Sequence, residues 1–174
     1  MEWTVREAGA GDVDRLALIG AATFLETFAG LLDGAAIVAH CRKEHSAAAY
    51  RSALETGGAA WLAETLEGSA PIGFALVGRS TLPGTDSNGT DLELKRIYSL
   101  SRFHGSGVGS ALMGLAVEHA TECGATRLLL GVYAGNARAI GFYRKKGFSP
   151  IARRRFQVGT RDYDDVVFAK ILRR

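Results

Sequence analysis

Between residues 91 and 133 the chain changes its pattern repeatedly, and the order of the changes limits the folds open to it. DLELKRIYS (91–99) alternates apolar and polar residues, the period of a half-buried strand. SRFHGSGVGS follows as a glycine-rich connection. Val108, Leu112, Leu115, Ala116 and His119 then recur at helical spacing, and RLLLGVY (127–133) is a continuous apolar run suited to a buried central strand. Strand, helix and strand in this order pack back as a right-handed crossover with the two strands parallel.

The remaining elements fit around that unit. Residues 2–8 alternate as a first strand, and Asp12 is placed to cap a helix over 13–29 with Val13, Leu16, Ile19 and Phe24 on its apolar stripe. Further helices are expected over 34–44 and, capped by Ser46, over AAAYRSALE. Strands at 59–66 and 71–79 are joined by a turn at Glu67-Gly68-Ser69, and 81–90 is a polar loop. Asn136 starts a helix running to Lys146, and strands at 148–158 and 163–172 meet at Gly159-Thr160-Arg161-Asp162. With no internal repeat or linker, the expectation is one α/β (α+β) domain, residues 1–174, with a mixed sheet.

Composition narrows the function. Gly accounts for 22 of 174 residues and Pro for 3, without a Gly-X-Y period, so a collagenous or low-complexity chain is excluded. The net charge of +3 is scattered, and Arg153-Arg154-Arg155 reads as a solvated strand face, so no nucleic-acid partner is expected. Cys41 and Cys123 lie far apart and form no zinc or disulfide spacing, so no metal is expected. MEWTVREAGAGD lacks the pattern of a signal peptide and no apolar stretch is long enough for a membrane span. A cytoplasmic location is expected by default.

The strongest chemical signal is His104-Gly105-Ser106-Gly107-Val108-Gly109-Ser110, between a strand and a helix. Unpaired N–H groups at a helix start, with no Cβ in the way, hold phosphate. A Cβ at Gly107 is expected to enter that cradle. A Walker loop fails because no Lys follows the glycines. A dinucleotide fingerprint would have Ser110 in its third glycine place and no acid at the end of RLLLGVY.

The same turn resembles the pyrophosphate loop of the GNAT N-acetyltransferases, in which Arg or Gln is followed after two residues by Gly and, one residue further, by Gly or Ala. Gly107 and Gly109 hold the glycine places, and His104 replaces the usual Arg or Gln. Downstream, Asn136, Ala139, Phe142, Tyr143, Gly147 and Phe148 match the family's NxxAxxFYxxxGF segment. Residues 22–28 and Phe156-Gln157-Val158-Gly159 also resemble PaiA-type polyamine acetyltransferases.

The resemblance implies a sheet of about seven strands flanked by helices, with the fourth and fifth strands splayed, and acetyl-CoA as co-substrate. It places the pantetheine arm on the main chain of Ile97, Tyr98 and Ser99, the pyrophosphate on residues 104–110 (Ser106 and Val108 included), and Asn136, Ala139 and Phe142 near the arm. Tyr143 becomes the acid that protonates the leaving thiolate, and Glu93 the base, directly or through water. Asp91 and Glu93 share a strand face and could form a negative patch. The acceptor, a small amine and on the PaiA likeness a polyamine, falls to Phe24, Glu26, Thr27, Phe28, Asp33, Glu93 and Tyr163. A homodimer through the C-terminal hairpin is a further implication. Alternatives left open are a protein N-terminus as acceptor, a catalytically weak acyl-CoA sensor, and a nucleotide-binding oxidoreductase.

Overall fold

In the computed structural model, residues 2–85, 89–158 and 161–172 are described. The expected turn at Gly159-Thr160 and residues 86–88 of the polar loop lie outside them. The elements run β1 (Trp3–Ala8), α1 (Val13–Phe28), α2 (Gly34–Glu44), α3 (Ala47–Glu55), β2 (Ala59–Thr65), β3 (Pro71–Arg79), β4 (Leu92–Ser99), α4 (Val108–Glu122), β5 (Arg127–Tyr133), α5 (Ala137–Lys145), β6 (Ser149–Val158) and β7 (Arg161–Ile171). Their order is the expected one. Two 3-10 turns, Ala10–Asp12 and Ser101–Phe103, escaped the periodicity because each is a single turn.

The strands form a mixed seven-stranded sheet in the order β1-β2-β3-β4-β5-β7-β6. β1 pairs antiparallel with β2, and β7 pairs antiparallel with both β5 and β6. β4 and β5 run parallel, as the crossover rule requires, but only Leu92 with Leu128 and Glu93 with Leu129 are in register. A pairing confined to the first residues of both strands is what a splay requires. The hairpin turn before β3 is made by Gly68 at φ +76° and Ser69 at φ +48°, a pair of left-handed residues that matches the strand twist.

Ser46 Oγ accepts from Ala49 N and Asn136 Oδ1 from Ala139 N, as the sequence suggests, and Asp33 Oδ1 accepts from Ala36 N at the start of α2. Asp12 departs from this pattern: it stands at the start of α1 without a cap bond from its side chain. Its carboxylate instead accepts from the two terminal Arg6 nitrogens at 2.7 and 2.9 Å and from Gly9 N. The Arg6 hydrogen bonds hold it down at about 2.

The chain divides into two compact units. The first comprises Met1–Leu76 and Arg96–Ala116, the second Val77–Lys95 and Val117–Arg174. The first is built on Val13, Leu16 and Ile19 from α1, Tyr50 from α3, and Leu62, Phe74 and Leu76 from the sheet. Each such side chain contributes about 1.5–3 kcal/mol by leaving water. In the second, Leu82 packs with Leu129, Val167 and Ala169.

Candidate functional site

In the first unit, the chain leaves β4 through a hydrogen bond from Leu100 N to Ile72 O, then makes the 3-10 turn in which Phe103 is buried. His104 N returns to Ser101 O, and Ser106 donates to Phe103 O through both its amide and its hydroxyl. Gly105 and Gly107 stand at φ +84° and +96° with Ser106 between them. Left-handed glycines on either side of Ser106 turn the backbone sharply into α4, and because Ser106 N is taken by Phe103 O, the amides left to an anion nest are those from Gly107 onward. Ala111 N donates to Gly107 O, so the amides ahead of it belong to the unpaired first turn of α4.

A Cβ at Gly107 would lie 3.4 Å from the Trp3 ring of β1, an ordinary contact. The left-handed φ is what bars a side chain at this position. At Gly105 a Cβ would meet nothing within 4 Å. His104 Nε2 lies 3.1 Å from Ser99 O. A carbonyl only accepts, so Nε2 carries the proton. The bond uses one of the carbonyls expected to face the pantetheine arm. Gly73 of β3 lets β4 come close: a Cβ there would sit 2.9 Å from Tyr98 O and crowd Ser99 and Val108.

The expected acceptor residues of α1 fall into two groups. Phe24 is buried, stacks on the His40 ring at 4.1 Å and contacts Phe28 at 4.5 Å. The polar members are engaged locally: Thr27 Oγ1 donates to Thr23 O, Asp33 caps α2, and Glu26 accepts from Ser101 N at 2.7 Å and from Ser101 Oγ at 2.6 Å. Those bonds hold the Glu26 carboxyl below its ordinary value.

Behind Phe24 lies a cluster that sequence reasoning passed over. His45 is buried, shares a 2.8 Å hydrogen bond with the Tyr50 hydroxyl, and packs 5.6 Å from His40. Arg96 lies over the Tyr50 ring and pairs with Glu44 at 3.0 Å. Burial, helped by Arg96 and His40, pushes His45 down to about 3, and burial also lowers His40 and raises Tyr50. Gly20 makes the cluster possible, since a Cβ there would collide with His45 Nδ1 and the Tyr50 hydroxyl. The available signal was His40 and His45 flanking the end of α2, but neither faces its partners through a sequence spacing.

In the second unit, Asp91 and Glu93 are buried, not solvent-facing. Arg127 grips Asp91 at 2.5 and 3.1 Å, and Lys95 pairs with Glu93 at 2.7 Å. The expected negative patch is therefore neutralised at both positions. The bonds to Glu93, from Thr81 N, Thr81 Oγ1 and Lys95 Nζ, all fall on Oε2. Among the described residues none donates to Oε1. Tyr143 lies buried on α5, edge-on to Phe142 and Phe148. Asn136 caps that helix, and Ala139 and Phe142 are half-buried on it. Tyr163 meets Tyr133 edge-on in the sheet, and its buried hydroxyl has no partner among the described residues. Also among these residues, no helix is long and apolar enough to cross a membrane, and no group of three or more His, Cys, Asp or Glu could hold a metal.

The Acetyltransferase (GNAT) family model matches residues 26–148, and the chain belongs to that family. It is 37% identical over 101 residues to an uncharacterised N-acetyltransferase of Mycobacterium tuberculosis, covering 58% of this chain and 60% of the relative. The match thus spans about three-fifths of that relative's length. Among solved structures, the fold is similar to PaiA N-acetyltransferase from Thermoplasma acidophilum in complex with coenzyme A, with TM-score 0.77, 19% identity and coverage of 98% and 99% of the two chains. A nourseothricin acetyltransferase is similar over 68% of each chain, with TM-score 0.59 and 29% identity.

Proposed function

We propose that the protein transfers the acetyl group of acetyl-CoA to the primary amine of a small cationic acceptor, a polyamine being the first candidate. The observation that carries this reading is the glycine nest of residues 104–110 at the start of α4, which lies inside the span matched by the family. The residues suit a pyrophosphate: two left-handed glycines, no side chain filling the turn at Gly105, and the positive end of a fifteen-residue helix. The main chain of Ile97, Tyr98 and Ser99 would hold the pantetheine arm.

Acetyl-CoA would supply an activated thioester. The protein has to provide a neutral amine and a proton for the departing sulfur. Glu93 Oε1 would accept the amine's proton, directly or through a water, while Lys95 and Thr81 keep Oε2 fixed. Tyr143 would donate its phenolic proton to the thiolate. Phe28, half-buried beside Phe24, would offer a ring face that attracts a cation. A cytoplasmic setting rests on the two unpaired cysteines.

The deciding experiment is CoA thiol release from acetyl-CoA with spermidine, putrescine, an aminoglycoside and an Ala-terminated peptide as acceptors. Turnover is expected with at least one of the polyamines. Turnover on another amine alone would remove the polyamine assignment, and no turnover with any amine would favour an acyl-CoA-binding module.

A further inference from the structure

The polar residues near the end of α1 were expected to meet a cationic acceptor. Glu26 does something else. It reaches a segment 75 residues away and takes both hydrogen bonds that Ser101 can offer, one from the amide and one from the hydroxyl. Ser101 opens the 3-10 turn that leads into the glycine nest, and its carbonyl receives His104 N. The same turn is tied on its other side by Leu100 N to Ile72 O in β3 and by His104 Nε2 to Ser99 O. The path into the nest is thus held by the Leu100–Ile72 main-chain bond and by its own His104 side chain, and from outside the turn by one distant carboxylate, Glu26.

A nest binds phosphate through several N–H groups that must point at one place, so a small rotation of its entry strand misaligns all of them together. We propose that Glu26 is a positioning residue for CoA binding: it fixes the orientation of the Ser101 turn and so the aim of the amides that follow. This rests on the assignment of residues 104–110 to the CoA pyrophosphate. It also means that α1, which carries Phe24 two residues before Glu26 and Phe28 two residues after it, is bonded to the turn before the nest through Glu26.

The test is isothermal titration of CoA into the wild type, Glu26→Ala, Glu26→Gln, Ser101→Ala and the Glu26→Ala/Ser101→Ala double variant. Glu26→Ala is expected to weaken CoA about tenfold and Ser101→Ala, which keeps the amide bond, about threefold. The double variant should be no weaker than Glu26→Ala alone, because both changes break one interaction. Glu26→Gln should return most of the affinity, since its amide can accept from Ser101 N and donate to Ser101 Oγ. A general loss of packing would not be rescued in this way. CoA affinity unchanged in Glu26→Ala overturns the proposal, and so does a loss confined to spermidine binding, which would make Glu26 an acceptor contact. No CoA binding by the wild type would instead overturn the assignment of the glycine nest itself.

Discussion

The glycine nest before α4 and the carboxylates at the start of β4 are built on opposite principles. As proposed, the nest would work with main-chain amides on an exposed turn, and what it would need is backbone conformation, supplied by Gly105 at φ +84° and Gly107 at φ +96°. Asp91 and Glu93 are buried side chains, and each is held by a cation, Arg127 or Lys95. A backbone site is written into residue type, because only glycine takes those φ values without strain. A side-chain site depends on partners brought in by the fold, so the same two acids read as a negative patch in the sequence and as neutralised pairs in the structure.

The largest expected effect lies on the side-chain half. Tyr143→Phe should lower kcat by about a hundredfold or more, the usual weight of a general acid, with CoA affinity unchanged. Steady-state kinetics beside CoA titration separates the two quantities. Equal losses in both would make Tyr143 a packing residue and bring its helix closer in kind to the core. Next comes Asp91→Asn, which leaves Arg127 with a weakened partner at a nearly closed site and should cost about 3 kcal/mol in urea unfolding. A change below about 0.5 kcal/mol would mean that the pair adds no more than an exposed one does.

The first unit offers a contrasting pair of tests. Gly20→Ala inserts a methyl group against His45 and Tyr50 and should cost about 2 kcal/mol, although a glycine-to-alanine change inside a helix ordinarily stabilises. A further effect is one of pH. His45 titrates at about 3 in the folded chain and at about 6.5 when unfolded, so its contribution to stability is complete above pH 6.5 and declines as pH falls toward 3. Tm measured from pH 7 to 4 should therefore fall less steeply in His45→Asn than in the wild type. Parallel curves would place the acid sensitivity in other groups.

The legible part of the fold was the part set by local pattern. The crossover from β4 to β5, the apolar stripe of α1 and the caps at Ser46 and Asn136 follow from spacing and residue type. Asp12 did not follow its local signal, because Arg6 competes for the same carboxylate and wins with two bonds. The site divides in the same way. Gly105 and Gly107 announce the nest, whereas the Glu26–Ser101 bonds and the His45–Tyr50–Arg96 cluster join residues whose sequence neighbours carry no sign of the partner. His104 shows the limit from the other side: it holds the motif position of an Arg or Gln, yet its ring is directed to Ser99 O.

Calorimetric titration of CoA into the wild type and Gly107→Val tests the central claim most directly. A β-branched residue at φ +96° forces the turn out of its nest conformation, so CoA affinity should fall by about a hundredfold or more while far-UV circular dichroism stays unchanged. CoA bound equally well by both proteins, or by neither, would contradict the assignment of residues 104–110 to the pyrophosphate.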